Sequence, residues 1–474
     1  MEQSTLARQL GELIGQDKII TDPDILLSCS KDYIGFRQYE RGAKQYRVPR
    51  AACVAKPQST GEVSRLLAFL NAHKIDAVPR TGGSCVTLGL EPQEGGVIID
   101  GSGMNEIIAL DETNMWVTAR CGTPLEYLEN YLNKRGFTAG HFPQSLPMAH
   151  VGGLLATRSI GQFSTLYGGI EDLVIGLEAV LADGEVIRIK NNPRRSVGPD
   201  LRHMFIGSEG AFGFITEASL KIFPYRPDER WMRCYAIRGM RNGLAAIREI
   251  MARGYKPAVV RLFDDEESQR DFGELAPEGY CLLFLLAEGP KAIAEATGTA
   301  IVAILAAYDV VDLGTKPLEH WLVHRNDTCD TMDIDLYYKM GAVADTCEIS
   351  APWSVIGDIH EAVLERMPNE VPTLISIGGH SSHSYLNGTN IYFTFGAMVR
   401  HADDARPVFM KIIGTIMEET LKRGGSIAHH HGSGKYRTRW MPEEHGSSYV
   451  LMRRLKNALD PNAILNKGVL LTDE

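Results

Sequence analysis

Hydrophobic residues recur at helical spacing near both ends of the chain and alternate in short strand-like runs between. Leu6, Leu10 and Leu13/Ile14 predict an N-terminal helix, with irregular chain following to about residue 50. A strand at Ala52–Ala55 leads into Pro57-Gln58-Ser59-Thr60-Gly61-Glu62, where Ser59 and Glu62 stand at capping-box spacing. Val63, Leu66, Leu67 and Leu70 then form one apolar helix face. Strands are predicted near Ala77–Pro79 and Val97–Asp100, separated by the loop Arg80-Thr81-Gly82-Gly83-Ser84-Cys85. A second helix is expected to begin at Thr123-Pro124, with Glu126 in the reciprocal capping position and Leu125, Leu128 and Leu132 buried. Val174–Leu181 and Glu185–Ile189 flank Asp183-Gly184, which signals a hairpin.

The texture changes after Pro224. Helical stretches (Asn242–Arg253, Ala292–Ala307, Val355–Arg366, Asp404–Arg423) alternate with strand-like runs such as Tyr280–Leu286 and Ile391–Phe395. From about residue 441 the tail reads as helical and stops at Asp460-Pro461-Asn462. These shifts divide the chain into an N-terminal segment (1–46), a glycine-rich half (47–227), a second half (228–440) and a C-terminal helical tail (441–474).

Composition sharpens that division. Glycine accounts for 47 of 474 residues, against an average of roughly 7%. Residues 80–213 hold 21 of them, so the excess is local rather than spread along the chain. A net charge of −10 without a long basic block argues against a nucleic-acid binder. The most apolar uncharged run, Ala296–Tyr308, falls short of the roughly 20 residues of a spanning helix, and the acidic N-terminus does not read as a signal peptide. Eight scattered cysteines with no CxxC pair indicate neither a disulfide framework nor a zinc ribbon, and point to a reduced, cytoplasmic setting.

Glycines admit positive φ and let backbone amides approach a ligand closely, which suits a pyrophosphate. The 80–85 loop follows a strand but is neither a GxGxxG nor a GxxxxGK[ST] loop, and alone it reads equally as a plain tight turn. Three further small-residue segments strengthen the case: 144–153, 156–159 and 207–213.

Five strings now carry a resemblance. P-x-S-T-x-E-V at 57–63, the GGS loop, VGG at 151–153, YGGIEDLV at 167–174 and GSEGAFGFITEASLKI at 207–222 resemble the FAD-binding domain of the vanillyl-alcohol oxidase (PCMH-type) flavoprotein superfamily. The resemblance implies an α+β fold: a PCMH-type two-subdomain FAD-binding domain plus an α+β cap or substrate domain with an antiparallel sheet. It implies FAD contacts at Pro79, Arg80, Thr81, Gly82, Gly83, Ser84, Cys85, Gln144, Ser145, His150, Gly153, Thr157, Ser159, Glu209, Gly210, Gly213 and Ile215. Some members attach the flavin through a histidine directly after the paired glycines. Ser84 stands there, so the FAD is expected to be non-covalent.

In the second half the densest ionisable cluster is His429-His430-His431, ahead of Gly432-Ser433-Gly434. Histidine titrates near neutrality and can donate, accept or ligate. If this segment is a strand, only His429 and His431 share a face. His380 and His383 are further candidates, and Tyr392 reads either as a core tyrosine or as a chemical group, opposite Ile391 and Phe393. Arg261 and Arg325 stand among apolar neighbours; a buried guanidinium needs an anion, either a structural acid or a substrate phosphate or carboxylate.

PAVVRLFDD at 257–265, SAPW at 350–353, SSHSYLNGTNIYFTF at 381–395 and HHHGSGKYRTRW at 429–440 are similar to the alkylglycerone-phosphate synthases, the ether-lipid flavoenzymes. That resemblance implies exchange of the acyl chain of an acyl-dihydroxyacetone phosphate for a fatty alcohol, through an adduct at flavin N5. It implies Tyr392 as acid/base, His429, His430 and His431 in proton transfer, and Arg261 and Arg325 on the phosphate. The alternative is an FAD-linked dehydrogenase or oxidase of a hydroxy acid or alcohol. Such relatives carry Glu-His-Gly where this chain has His430-His431-Gly432, and a GHxGDGNxH string absent here; that argues against their metal-assisted site and sets the expectation of no metal, although His380 and His383 keep one conceivable. A third reading is a binding protein that keeps FAD as structure. The expected partners are a small or lipid-like anionic substrate, and a homodimer is left open.

Overall fold

The computed structural model describes residues 2–46, 48–327, 329 and 336–472. Three main sheets organise it. The first runs Ile19–Ile20, Cys53–Ala55, Val97–Asp100, Ala77–Arg80, with parallel pairing among its last three strands. The second is antiparallel, in the order Ile107–Asp111, Trp116–Arg120, Phe214–Lys221, Val174–Val180, Val186–Ile189. The third is a seven-stranded antiparallel sheet: Val310–Gly314, Arg230–Ile237, Cys281–Glu288, Val259–Phe263, Leu374–Ser381, Gly388–Met398, Ala342–Pro352. Two sheets with helices beside a third, separate sheet is the α+β arrangement expected from the sequence.

Local chemistry sets the elements. The helix Thr60–His73 starts at Ser59, whose Oγ accepts from the Glu62 amide at 3.3 Å, and the Glu62 carboxylate reaches back to the Gln58 amide at 2.8 Å. The reciprocal arm thus lands one residue before the cap. The helix Leu125–Asn133 buries Leu125, Leu128 and Leu132 as the pattern predicts, but Thr123 does not cap it: its hydroxyl donates to the Glu106 carbonyl at 3.2 Å. The hairpin around Asp183-Gly184 pairs Val180 with Val186.

The stretch before residue 50 is not irregular. After the helix Gln3–Ile14 come two more, Pro23–Cys29 and Gly35–Gly42. Asp22 caps the first of these through the Asp24 and Ile25 amides. The second is held from outside, because the Gly35 amide donates to Asp345 at 2.6 Å and the fully buried Phe36 packs on Phe409. Tertiary contact, not local periodicity, makes it helical.

The C-terminal tail folds into helices Met441–His445 and Tyr449–Leu459 and then returns to the first sheet, where Leu465 bridges to Ala77. Among the described residues no helix is long and apolar enough to cross a membrane.

Candidate active site

One cavity of about 750 Å³ lies between the glycine-rich loops and the face of the seven-stranded sheet. The loops reach it from three directions. Pro79–Cys85 leaves the end of the strand Ala77–Arg80, 144–153 leads into the helix Val151–Ala156, and Glu209, Gly210, Gly213 and Ile215 approach the strand Phe214–Lys221. Gln144, Ser145, Thr157 and Ser159 join the lining. A Cβ on Gly82 would run into the Met148 carbonyl and come within 3.0 Å of the His150 amide. Two backbones therefore touch there, with room for nothing larger than glycine.

This cradle fits FAD. His150, Gln162 and Asn466 line the cavity, and Nδ1 of the first, Oε1 of the second and Oδ1 of the third are buried without a protein partner, so an extended polar ligand has groups to meet. Ser84 offers no ring nitrogen for a flavin link, and Cys85 is packed, its sulfur 3.3 Å from the Thr87 hydroxyl and its thiol pKa pushed well up by burial.

Glu209 does something the sequence did not suggest. Its carboxylate accepts from the amides of Ser433 at 2.8 Å and Gly434 at 3.0 Å. Gly434 sits at φ +49°, where an added Cβ would collide with the Thr87 carbonyl. A residue of the glycine-rich half thereby clamps the loop carrying the three histidines. Burial pushes the Glu209 carboxyl up to about 7.

The chemistry-bearing face of the large sheet is set by alternation. Along Gly388–Met398, Ile391 and Phe393 are fully buried, while Tyr392 and Thr394 turn to the cavity. In register beside Tyr392 lie Glu348 on one neighbouring strand and His380 on the other. Tyr392 Oη is 2.7 Å from His431 Nε2, and His431 Nδ1 is 2.9 Å from Glu348 Oε2. Arg437, fully buried, donates to both oxygens of Glu348 at 3.0 and 2.8 Å, and the His431 amide adds a bond at 2.8 Å. Burial opposes the charge of Glu348, but Arg437 and His431 hold its carboxyl well below the usual range. Burial pushes the Tyr392 phenol up, and Glu348 adds to that.

A second chain of bonds reaches the other face of Tyr392. His380 stacks on its ring, centroids 5.0 Å apart. Arg261 Nη2 is 2.8 Å from His380 Nε2, and His380 Nδ1 is 2.7 Å from Glu267. A guanidinium only donates, so His380 is neutral with its proton on Nδ1. Burial brings the Arg261 guanidinium down to about 10; the residue lines the cavity, and its Nε is buried without a protein partner.

Other sequence-predicted residues fall elsewhere. Arg325 lies outside the cavity lining, over the rings of Phe142, Phe163 and Trp321 at 5.5, 5.2 and 5.9 Å. The strand reading of the histidine run also fails. Residues 429–431 form bends, so His429 and His431 do not share a face. His431 turns to Tyr392, while His429 and His430 turn to each other and to His383. Glu348, Glu267 and Arg437 were missed. A lone acid in the apolar run Cys347-Glu348-Ile349, and the first of two arginines in the 429–440 string, were the available signals.

The fold and this cavity describe a flavoprotein whose dinucleotide half delivers a cofactor to the face of a separate sheet, and comparison with known proteins gives it a family. Residues 51–190 match the FAD binding domain, and residues 235–470 the C-terminal domain of FAD linked oxidases. The chain is 45% identical over 480 residues to a protein of Escherichia coli strain K12 described as the uncharacterized FAD-linked oxidoreductase YgcU, with 99% of each chain covered. It is 27% identical over 464 residues to the alkyldihydroxyacetonephosphate synthase of Caenorhabditis elegans, covering 90% of this chain and 77% of that one. A solved structure of an alkyldihydroxyacetonephosphate synthase has the same fold, with a TM-score of 0.81 at 23% identity over 98% of this chain and 86% of that one. The chain belongs to the FAD-linked oxidases of the PCMH-type flavoprotein superfamily, and its cofactor is FAD.

Proposed function

We propose that this enzyme oxidises the hydroxyl-bearing carbon of a hydroxy acid or alcohol that carries an anionic group. The observation behind this reading is the Tyr392–His431–Glu348 chain opening on the cavity lined by the flavin loops. FAD, when bound, supplies the two-electron acceptor. Tyr392 takes the proton of the substrate hydroxyl as its own proton passes to His431 Nε2, and Glu348 stabilises the imidazolium that forms. Arg261, a buried guanidinium that lines the cavity, holds the anionic group of the substrate. The 45% relative, described as an oxidoreductase, supports oxidation over other flavin chemistry. In this reading residues 47–227 hold the dinucleotide, 228–440 the substrate, and 441–474 close the site. Anaerobic mixing with a series of 2-hydroxy acids, polyol phosphates and alcohols tests it. A substrate that bleaches the flavin absorption band supports the reading, and failure of the whole series with FAD fully loaded sinks it.

One set of observations favours a second reading, exchange of an acyl chain for a fatty alcohol as in ether-lipid synthesis. Tyr392, the run His429–His431 and Arg261 stand in strings similar to the synthases, and 27% identity extends over most of the chain. That reading predicts incorporation of labelled fatty alcohol into an acyl-dihydroxyacetone phosphate with no net change in flavin redox state.

A further inference from the structure

His383, His429 and His430 converge beside the Tyr392 relay, the His430 ring 5.5 Å from that of Tyr392 and 4.5 Å from that of His431. One ring nitrogen from each lies within 4.8 Å of the other two. His383 and His429 stack with centroids 5.1 Å apart, and His430 meets His383 edge to face at 5.4 Å. The elements that bring them together are distant in sequence: His383 lies two residues past the strand Leu374–Ser381, while the other two sit on the loop that Glu209 clamps.

The partners of these rings leave specific atoms available. Ser164 Oγ is 2.8 Å from His383 Nδ1, which leaves its Nε2. Tyr385 Oη is 2.8 Å from His429 Nε2, which leaves its Nδ1. That Nδ1 faces Nδ1 of His430 at 2.9 Å. As a hydrogen bond, this contact holds one proton between two like atoms. As a ligand pair, it presents two lone pairs near the spacing of about 3.3 Å that two imidazoles adopt on one tetrahedral zinc ion. Coordination takes the neutral imidazole, the form in which a ring nitrogen offers its lone pair. Ring nitrogens turned away from the centre and held by hydroxyls are the outer partners that orient metal-bound histidines.

We propose that His383, His429 and His430 form a three-histidine site for a divalent first-row transition ion, zinc in the first instance, open toward the cavity. This departs from the sequence expectation of no metal. Three neutral ligands leave the ion its full positive charge, and a fourth position opens on the cavity that His383 and His430 line. The proposal concerns binding and stands apart from the reaction assigned to Tyr392.

Chelator-stripped holoprotein, with FAD retained, is titrated with Zn²⁺ by calorimetry and with Co²⁺ by visible absorption. One Zn²⁺ per chain is expected, with His383→Ala and His429→Ala each weakening binding at least about 100-fold and Ser164→Ala about 10-fold. FAD content and far-UV circular dichroism report folding, and His383→Gln replaces the alanine variant if that one does not fold. His324→Ala, at an exposed histidine bonded to Asp327, is expected to leave binding unchanged. Absence of stoichiometric Zn²⁺ binding overturns the proposal, as does binding that survives loss of His383 and of His429.

Discussion

Tyr392 and His431 are joined by a 2.7 Å contact between the phenol oxygen and Nε2, and the far nitrogen of the same ring is held by Glu348. An ionised Glu348 accepts the Nδ1 proton, so Nε2 is left to accept from the phenol. The hydroxyl is thereby aimed, and a proton route runs away from the cavity. Tyr392→Phe removes the oxygen and leaves the ring stacked on His380. With the substrate that bleaches the flavin, the rate of reduction is expected to fall roughly a hundred- to ten-thousand-fold, with FAD content unchanged. Stopped-flow absorbance measures this; a loss under tenfold contradicts the role given to the hydroxyl.

The Arg437–Glu348 pair is fully buried and makes two short bonds. Removing one partner strands the other charge, which costs about 3–5 kcal/mol, far more than an exposed pair is worth. Arg437→Met is therefore expected to unfold at markedly lower denaturant concentration. Arg437→Met with Glu348→Gln is expected to recover part of that loss, because no bare carboxylate remains. Denaturation of the two variants side by side decides it, and a double variant no more stable than the single one contradicts the account.

Much of the fold was legible because its elements advertise their own periodicity. Leu125, Leu128 and Leu132 mark a helix face, and Ile391 and Phe393 bracket a tyrosine turned the other way. What escaped depends on contacts across the chain. The helix Gly35–Gly42 relies on Asp345, 310 residues away, and the bent path of His429–His431 relies on Glu209 in the other half. Tyr392 and the three histidines could be read as a group from their strings. Their division into a relay and a separate cluster could not, since a strand and a clamped loop assign the rings to opposite partners. Arg325 drew attention for the same reason as Arg261, apolar neighbours, and both stand over aromatic rings, Trp321 among them, but only Arg261 lines the cavity.

That contrast between the two arginines is testable. Each has one buried nitrogen without a protein partner, Nε of Arg261 and Nη1 of Arg325, but only Arg261 lines the cavity. Arg261→Gln is expected to raise KM for an anionic substrate about 10- to 100-fold, the worth of one or two hydrogen bonds to a charged group, with a smaller effect on a neutral analogue. Arg325→Gln is expected to leave the ratio of the two KM values unchanged. Equal effects at both positions contradict the placement of the anion at Arg261.

At Gly82 the test is steric. An added Cβ meets the Met148 carbonyl, so Gly82→Val must force the 80–85 loop and the 144–150 segment apart. The expected result is protein purified with little flavin, yet with near-native circular dichroism. Ser84 makes a companion prediction: acid precipitation of the native holoprotein releases its yellow flavin to the supernatant. Yellow colour kept in the pellet contradicts non-covalent binding.

Acid sensitivity should trace in part to His141. The ring is fully buried, with Nε2 3.3 Å from the Ser159 hydroxyl and Nδ1 unpartnered, and burial brings its pKa down to about 3. An unfolded histidine takes up its proton near pH 6.5, so the native state binds fewer protons than the unfolded state between about 6.5 and 3. Stability from this residue is complete above 6.5 and is lost as pH falls; at pH 5 the loss is about 2 kcal/mol. Asp32 and Glu209 act with the opposite sign, since burial raises their carboxyls to about 7 and the native state holds their protons more tightly. Comparing wild type with His141→Asn cancels those terms. The variant is expected to be the less stable at pH 7.5 and to close the gap by about 2 kcal/mol at pH 5, read as converging apparent Tm values. A gap constant across that range contradicts a buried neutral imidazole at this position.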